Sequence, residues 1–312
     1  MRIININSVN KWLISDYKKF INFCEEEYSF QILDVAAGIV NNFAGCPIIL
    51  LSGPSGSSKT GSAFRLKEAL KKFERSARVI SMDNYFLSGD DTRNRLEENG
   101  QMDYESPRRL DIQLLSKHLN DLIECREIEV PSFNFKQQGR EKGYLFRREK
   151  NEIIILEGIH ALNPEITGTV SEHSVGIYVS VRTRLQSQNG DLLHPSKIRL
   201  ARRFVRDRLF RGRSFFETFG FFKDVERGEE KYIMPFKKNA SFDIDAFLPY
   251  EICVYRELML EDLEALVKLV GVSGELDKLL EIALESVPVQ TADVPDDSPV
   301  REFIGESVLI KT

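Results

Sequence analysis

Residues 47–60, Pro-Ile-Ile-Leu-Leu-Ser-Gly-Pro-Ser-Gly-Ser-Ser-Lys-Thr, set an apolar run directly before a glycine- and serine-rich turn ending in Lys-Thr. The apolar run reads as a buried strand, and the turn as a loop leading into a helix. Gly53, Lys59 and Thr60 fit the pattern G-x-x-x-x-G-K-[ST] at its first glycine and last two positions. In such a loop successive backbone N–H groups converge on phosphate oxygens, and the following helix points its positive end at them. Gly53, Ser55, Gly56, Ser57, Ser58, Lys59 and Thr60 are therefore candidates for holding phosphate. The Lys ammonium would reach the β/γ-phosphates and the Thr hydroxyl a Mg2+ ion. Ser58 departs from the pattern, standing where a glycine precedes the Lys. If that position needs a positive φ, serine adopts it at roughly 1 kcal/mol or more. A plain strand-to-helix turn is the alternative reading.

A chain of 312 residues has room for one large α/β domain with additions or for two small domains. Its 42% hydrophobic and 29% charged residues are ordinary for a globular protein. A net charge of −5 argues against a general nucleic-acid coat, although a local basic site remains compatible with it. Cys24, Cys46, Cys125 and Cys253 are scattered without metal-ligand spacing, which fits reduced thiols. No apolar stretch approaches the roughly 20 residues that span a bilayer. The N-terminus lacks a basic-then-apolar leader, so a cytoplasmic location is expected.

Periodicity organises the rest. Residues 1–45 read as a helical extension, with Ile32, Ala36, Ile39, Val40 and Phe43 at helical spacing. Helices are expected over 59–73, 110–123, 195–210 and 214–227. Strands are expected at 78–82, near 128–130, at 152–157 and at 175–181. A polar stretch over 87–101 reads as a mobile loop. Two helices and a tail follow from about Pro249. Strands alternating with helices imply a mainly parallel sheet that binds ligands at the carboxyl ends of its strands. The resulting division is 1–45, then 46–255 as the central domain, then 256–312 packed on it.

Two acids stand where such a site needs them. Asp83 closes the second strand, where it can take a proton from an attacking hydroxyl or hold water on Mg2+; a turn cap is the alternative. Glu157 ends the apolar run 152–156, a place for a Mg2+-organising carboxylate, with a solvated strand end as the alternative. His160 reads as a hydrogen-bonding surface residue, with a catalytic role as the alternative. Between Lys197 and Arg213 eight basic residues face one acid, Asp207. Arg199, Arg202, Arg203 and Arg206 fall at i, i+3, i+4 and i+7 and crowd one helix face, which an anion would complement. A solvated face or a nucleic-acid patch is the bland reading.

Taken in order, these pieces resemble the uridine kinase and phosphoribulokinase family of P-loop kinases, in particular a uridine-kinase-like branch ending in Arg-Glu-Phe-Ile-Gly. The likeness rests on Gly53–Thr60, Ile80–Phe86, Met102–Pro107, Pro131–Phe135 with Gly139 and Arg140, Glu157–Pro164, Arg199–Gly212 and Arg301–Gly305. It implies a P-loop α/β fold of three layers with a mainly parallel sheet, an arginine-rich helical lid over about 195–235 and added terminal helices. It also implies phosphorylation, with ATP and Mg2+, of a hydroxyl on a small metabolite such as a nucleoside, sugar or polyol. By position, Asp83 would be the general base and Lys59 would hold the β/γ-phosphates. Thr60 and Glu157 would organise Mg2+, and Arg206 and Arg211 would close on the transferring phosphate. Asp103, Phe133, Arg140, Arg203 and Arg213 would face the acceptor.

Two departures touch the acceptor. Gln138 stands where pyrimidine nucleoside kinases carry a base-holding His, and Phe221 where they carry a base-reading Gln. With Ser58, these leave a second reading open: a nucleotide-binding sensor or scaffold with impaired catalysis. No membrane association and no nucleic-acid partner are expected, and a homo-oligomer is compatible with the sequence.

Overall fold

A computed structural model describes all residues except 1, 44, 92–102, 135–136, 272–273 and 311–312. Most of the polar loop expected over 87–101 lies outside the described residues, as do Met102 and Phe135. In chain order, β1 (Ile3–Asn5) and α1 (Ile6–Asn42) precede β2 (Ile48–Ser52), α2 (Lys59–Lys71) and β3 (Ala77–Ser81). Next come α3 (Ile112–Ile123), β4 (Glu127–Asn134), β5 (Gly139–Arg147), β6 (Ile153–Glu157), α4 (Pro164–Thr167) and β7 (Ser174–Ser180). The chain continues through β8 (Arg184–Gln186), β9 (Leu192–Leu193), α5 (Pro195–Arg211), α6 (Phe215–Tyr232) and β10 (Phe242–Asp245). It ends with α7 (Glu251–Val270), α8 (Glu275–Glu285) and α9 (Arg301–Ile304).

Five parallel strands form the central sheet in the order β10-β7-β2-β6-β3. The continuous apolar runs of β2 and β6 follow from burial on both faces. Ile49, Leu51, Ile153 and Ile155 enter one apolar layer, beneath α1, α2, α5 and α7. Ile48, Leu50, Ile154 and Leu156 alternate into the other, with α3 and the β4–β5 hairpin. The three carboxyl ends that matter lie side by side, because Leu51 pairs with Glu157 and Glu157 with Ser81.

Several elements differ from sequence expectation. The segment 1–45 opens with a strand, since β1 pairs in parallel with β8 through Ile4 and Leu185. α1 breaks at Asp16 (φ −160°, ψ 86°), whose carboxylate accepts the Lys19 N–H at 3.0 Å and caps the second half. β4 is longer than the expected strand and pairs with β5; its register shifts between Val130 and Ser132, at Pro131, which has no N–H for the ladder. α7 runs unbroken across residues 255 and 256. Among the described residues no helix is long and apolar enough to cross a membrane.

Candidate active site

The turn after β2 has its shape for steric reasons. A Cβ on Gly53 would lie 1.9 Å from the Val179 carbonyl oxygen of β7, so only glycine allows the loop to leave the sheet there. Gly56 has φ +77°. Ser58 has φ 63° and ψ 38°, the left-handed conformation that glycine adopts freely, so the strain that its identity foreshadowed is present. The loop then enters α2, whose first residue is Lys59.

A cavity of about 550 Å³ opens at these strand ends. Ser55, Gly56, Lys59, Thr60, Asp83, Glu157, Arg203, Arg206, Arg211 and Arg213 line it, together with Asp103 and Phe133. Gly53, Ser57 and Ser58 shape the loop from behind and do not line the cavity. Desolvation lowers the pKa of the partly buried Lys59, while the charges of Glu157, Glu302 and Asp83 act in the opposite sense. Its ammonium donates to the Pro54 carbonyl at 3.1 Å.

Asp83 belongs to a 3-10 turn, Met82–Tyr85, that directly follows β3. The cap of that turn is Ser81, whose hydroxyl accepts the Asp83 N–H, so the carboxylate of Asp83 is not the cap. Burial raises its pKa, and Lys59, Arg211 and Arg206 oppose that rise. Glu157 is pushed to about 7 by burial and then by the neighbouring charge of Asp83. Two carboxylates thus share one buried corner with one ammonium. Among the described residues no group of three or more His, Cys, Asp or Glu could hold a metal by itself. Thr60 and Glu157 beside Asp83 nonetheless offer the hard oxygen donors that suit a Mg2+ retaining most of its water and sharing phosphate oxygens.

Apart from Arg208, which pairs with Asp262, the arginines of α5 and of the turn after it divide into two groups. Arg199 and Arg202, on the face expected to meet an anion, are instead neutralised by the protein. Arg199 pairs with Glu229, and Arg202 forms a fork with Glu251 at 2.7 and 2.8 Å. Arg202 also donates to the Gly56 carbonyl at 3.0 Å, tying α5 and α7 to the phosphate loop. Arg203, Arg206, Arg211 and Arg213 surround the fully buried Asp207 at 3.7, 3.6, 3.1 and 3.9 Å. Four guanidinium groups against one carboxylate leave excess positive charge on the cavity wall. Arg211 is exposed at the end of α5, and its guanidinium is charged at neutral pH. Arg199, Arg202 and Arg203 are buried, which excludes a solvated face.

Two residues differ from their expected placement, and one was missed. Arg140 does not line the cavity; its guanidinium bonds Asp111 at 3.1 Å and the carbonyls of Phe86 and Tyr85, fastening the hairpin to the Asp83 turn. His160 is buried rather than at the surface, edge-on to Tyr232, and burial pushes it down to about 4, so it is neutral. Glu105, two residues beyond Asp103, lines the cavity and is pushed up to about 7 by burial. The segment Asp103-Tyr104-Glu105-Ser106-Pro107 carries two acids, and the family resemblance singled out only the first. Asp103 accepts from the Tyr232 hydroxyl at 2.8 Å. Glu302, from the far end of the chain, also reaches the cavity. Gln138 and Phe221 line it as well.

Residues 48–249 match the Phosphoribulokinase / Uridine kinase family. The chain is 31% identical over 199 residues to a uridine kinase of Macrococcus caseolyticus, covering 63% of this chain and 86% of that protein. It is 32% identical over 137 residues to uridine-cytidine kinase C of Dictyostelium discoideum, covering 43% of this chain but only 26% of that protein. A crystal structure assigned to a fructose transport system kinase of Silicibacter sp. TM1040 superposes with a TM-score of 0.53 at 19% identity, covering 68% of this chain and 98% of the other; this likeness concerns the fold.

Proposed function

Since this chain belongs to the phosphoribulokinase and uridine kinase family, we propose that it is an ATP-dependent kinase phosphorylating a hydroxyl group of a small polyhydroxylated metabolite. The observation that carries this reading is the convergence of Lys59, Asp83, Glu157 and Arg206 on one cavity at the carboxyl ends of β2, β3 and β6. Phosphoryl transfer demands little covalent chemistry from the protein; it is a matter of positioning and charge stabilisation.

In this reading the loop N–H groups and Lys59 hold the phosphates, and Arg206 and Arg211 stabilise charge on the group in flight. Asp83 accepts the proton of the attacking hydroxyl. Thr60 and Glu157 would hold Mg2+, which when bound neutralises phosphate charge. The acceptor side supports a ligand rich in hydroxyls: Asp103 and Glu105 supply acceptors, and Phe133 and Tyr104 supply faces for a ring. A nucleoside, a sugar or a polyol fits this description. Gln138 and Phe221 leave the base-reading groups of pyrimidine nucleoside kinases without counterparts here.

The test is a coupled ADP assay with Mg2+, ATP and a panel of nucleosides, sugars and polyols. ADP release that depends on one class of acceptor supports the reading, and no turnover by the folded protein across the panel rejects it. The serine in a left-handed conformation at the phosphate loop favours a second reading, a nucleotide sensor. ATP binding by calorimetry without turnover on any acceptor would favour that one.

A further inference from the structure

The terminal Arg-Glu-Phe-Ile-Gly segment has no part in the chemistry above, yet it touches the phosphate loop. A serine at a helix N-cap normally has extended backbone angles and turns its hydroxyl onto an N–H of the first turn. Ser58, being left-handed, makes no such bond. That role is filled from 241 residues away, where Oε2 of Glu302 accepts the Gly61 N–H at 3.1 Å. The same oxygen accepts the Ser58 hydroxyl at 3.1 Å. One carboxylate oxygen therefore bonds both the third helical N–H and the residue in the unfavourable conformation.

Glu302 sits on a firmly packed support. Val300, Arg301 and Phe303 are buried, and the guanidinium groups of Arg202 and Arg206 lie 5.1 and 5.8 Å from the Phe303 ring centroid. Arg301 donates to the Val294 carbonyl at 2.6 Å. The other side of the same turn is held by α1: Tyr28 and Ser62 share a hydrogen bond of 2.6 Å, and the Ser62 hydroxyl donates to the Ser58 carbonyl at 2.6 Å.

We propose that Glu302 is a positioning residue that acts as a remote N-cap for α2. It holds Ser58 in the left-handed turn and so keeps Lys59 and Thr60 in the shape that receives phosphate. Glu302 is set as a cap rather than as a plug, because its bonds go to Gly61 and Ser58 while the Lys59 ammonium bonds Pro54. What the loop receives rests on the kinase reading above; the Ser58–Glu302 coupling itself does not.

The experiment is a double-mutant cycle of E302A, S58G and their combination, with E302Q beside it. Calorimetry with MgATP gives Kd for the folded protein, and thermal unfolding without nucleotide gives stability. E302A is expected to weaken ATP binding by about fivefold to tenfold, the scale of a lost cap. E302Q keeps an acceptor oxygen and is expected to restore most of the affinity. In the S58G background E302A is expected to lose less in both measurements, since glycine needs no support at that φ. Tighter ATP binding by E302A would show that the carboxylate competes with phosphate and would overturn the proposal. Strictly additive effects of S58G and E302A would overturn it too. If no protein in the set binds ATP, the kinase reading fails, and the nucleotide-free unfolding cycle still decides whether the two residues are coupled.

Discussion

At the scale of single residues, Asp83 sits between opposing electrostatic demands. It must be ionised to accept a proton, yet its burial beside Glu157 favours the protonated form. D83N preserves shape and removes the base, so kcat is expected to fall by about 10²- to 10⁴-fold while ATP affinity stays within a few fold. Steady-state kinetics together with calorimetry check both halves. The sign of the pH dependence follows from the direction of the shifts. Carboxylates with raised pKa gain protons already as pH falls toward neutrality, so kcat/KM, which reports the free enzyme, is expected to decline below about 7. The limb of kcat is expected at lower pH, because bound Mg2+ favours the ionised forms. A kcat/KM limb near the ordinary carboxylate range of about 4 would contradict this. The residue scale also shows where sequence stops helping. Asp83 and Glu157 were legible because each stands at the end of an expected strand. Glu105 was not, because two acids in one short loop look alike until α6 buries the second.

Among the elements, α5 gives the clearest lesson. Its limits, Pro195–Arg211, follow from sequence: a proline in the first turn and a glycine, Gly212, in the left-handed conformation just past the end. The distribution of its charges does not. Arg199 and Arg202 belong to the same helical stripe as Arg203 and Arg206, and only contact with α6 and α7 decides which are neutralised by protein. Glu251 is fully buried and receives the Arg202 fork, so E251Q leaves a buried cation short of its counter-charge. Urea unfolding of E251Q is expected to show a loss of about 3–5 kcal/mol. A change below about 1 kcal/mol would mean that water reaches Arg202, as at an exposed pair. Elements with weak local signals were the ones missed. β5 reads Gly-Arg-Glu-Lys-Gly-Tyr-Leu-Phe-Arg, too polar for an apolar-run criterion, and is a strand because β4 pairs with it.

For the whole molecule, both ends of the chain close on α2. Arg65 binds Glu25 of α1 at 3.0 Å and the Asp297 carbonyl of the tail at 2.9 Å. Tyr250 joins the same two regions through Glu25 at 2.6 Å and Ser298 at 3.0 Å. Phe303 is fully buried in the layer that contains α5 and α7. F303A is expected to destabilise the protein by about 3–5 kcal/mol, measured as a lower urea midpoint at unchanged m-value. A midpoint within error of the parent would show the tail to be peripheral. By itself the sequence determined the phosphate loop, the two strand-end acids, the parallel sheet and the limits of α2 and α5, because each is written in adjacent residues or at a fixed period. Tertiary structure alone decided that Glu302 caps the helix of Ser58, that Arg202 is neutralised by Glu251 and that Arg140 binds Asp111. Those pairings join groups far apart along the chain, and burial of intervening apolar surface brings them together without leaving any local pattern.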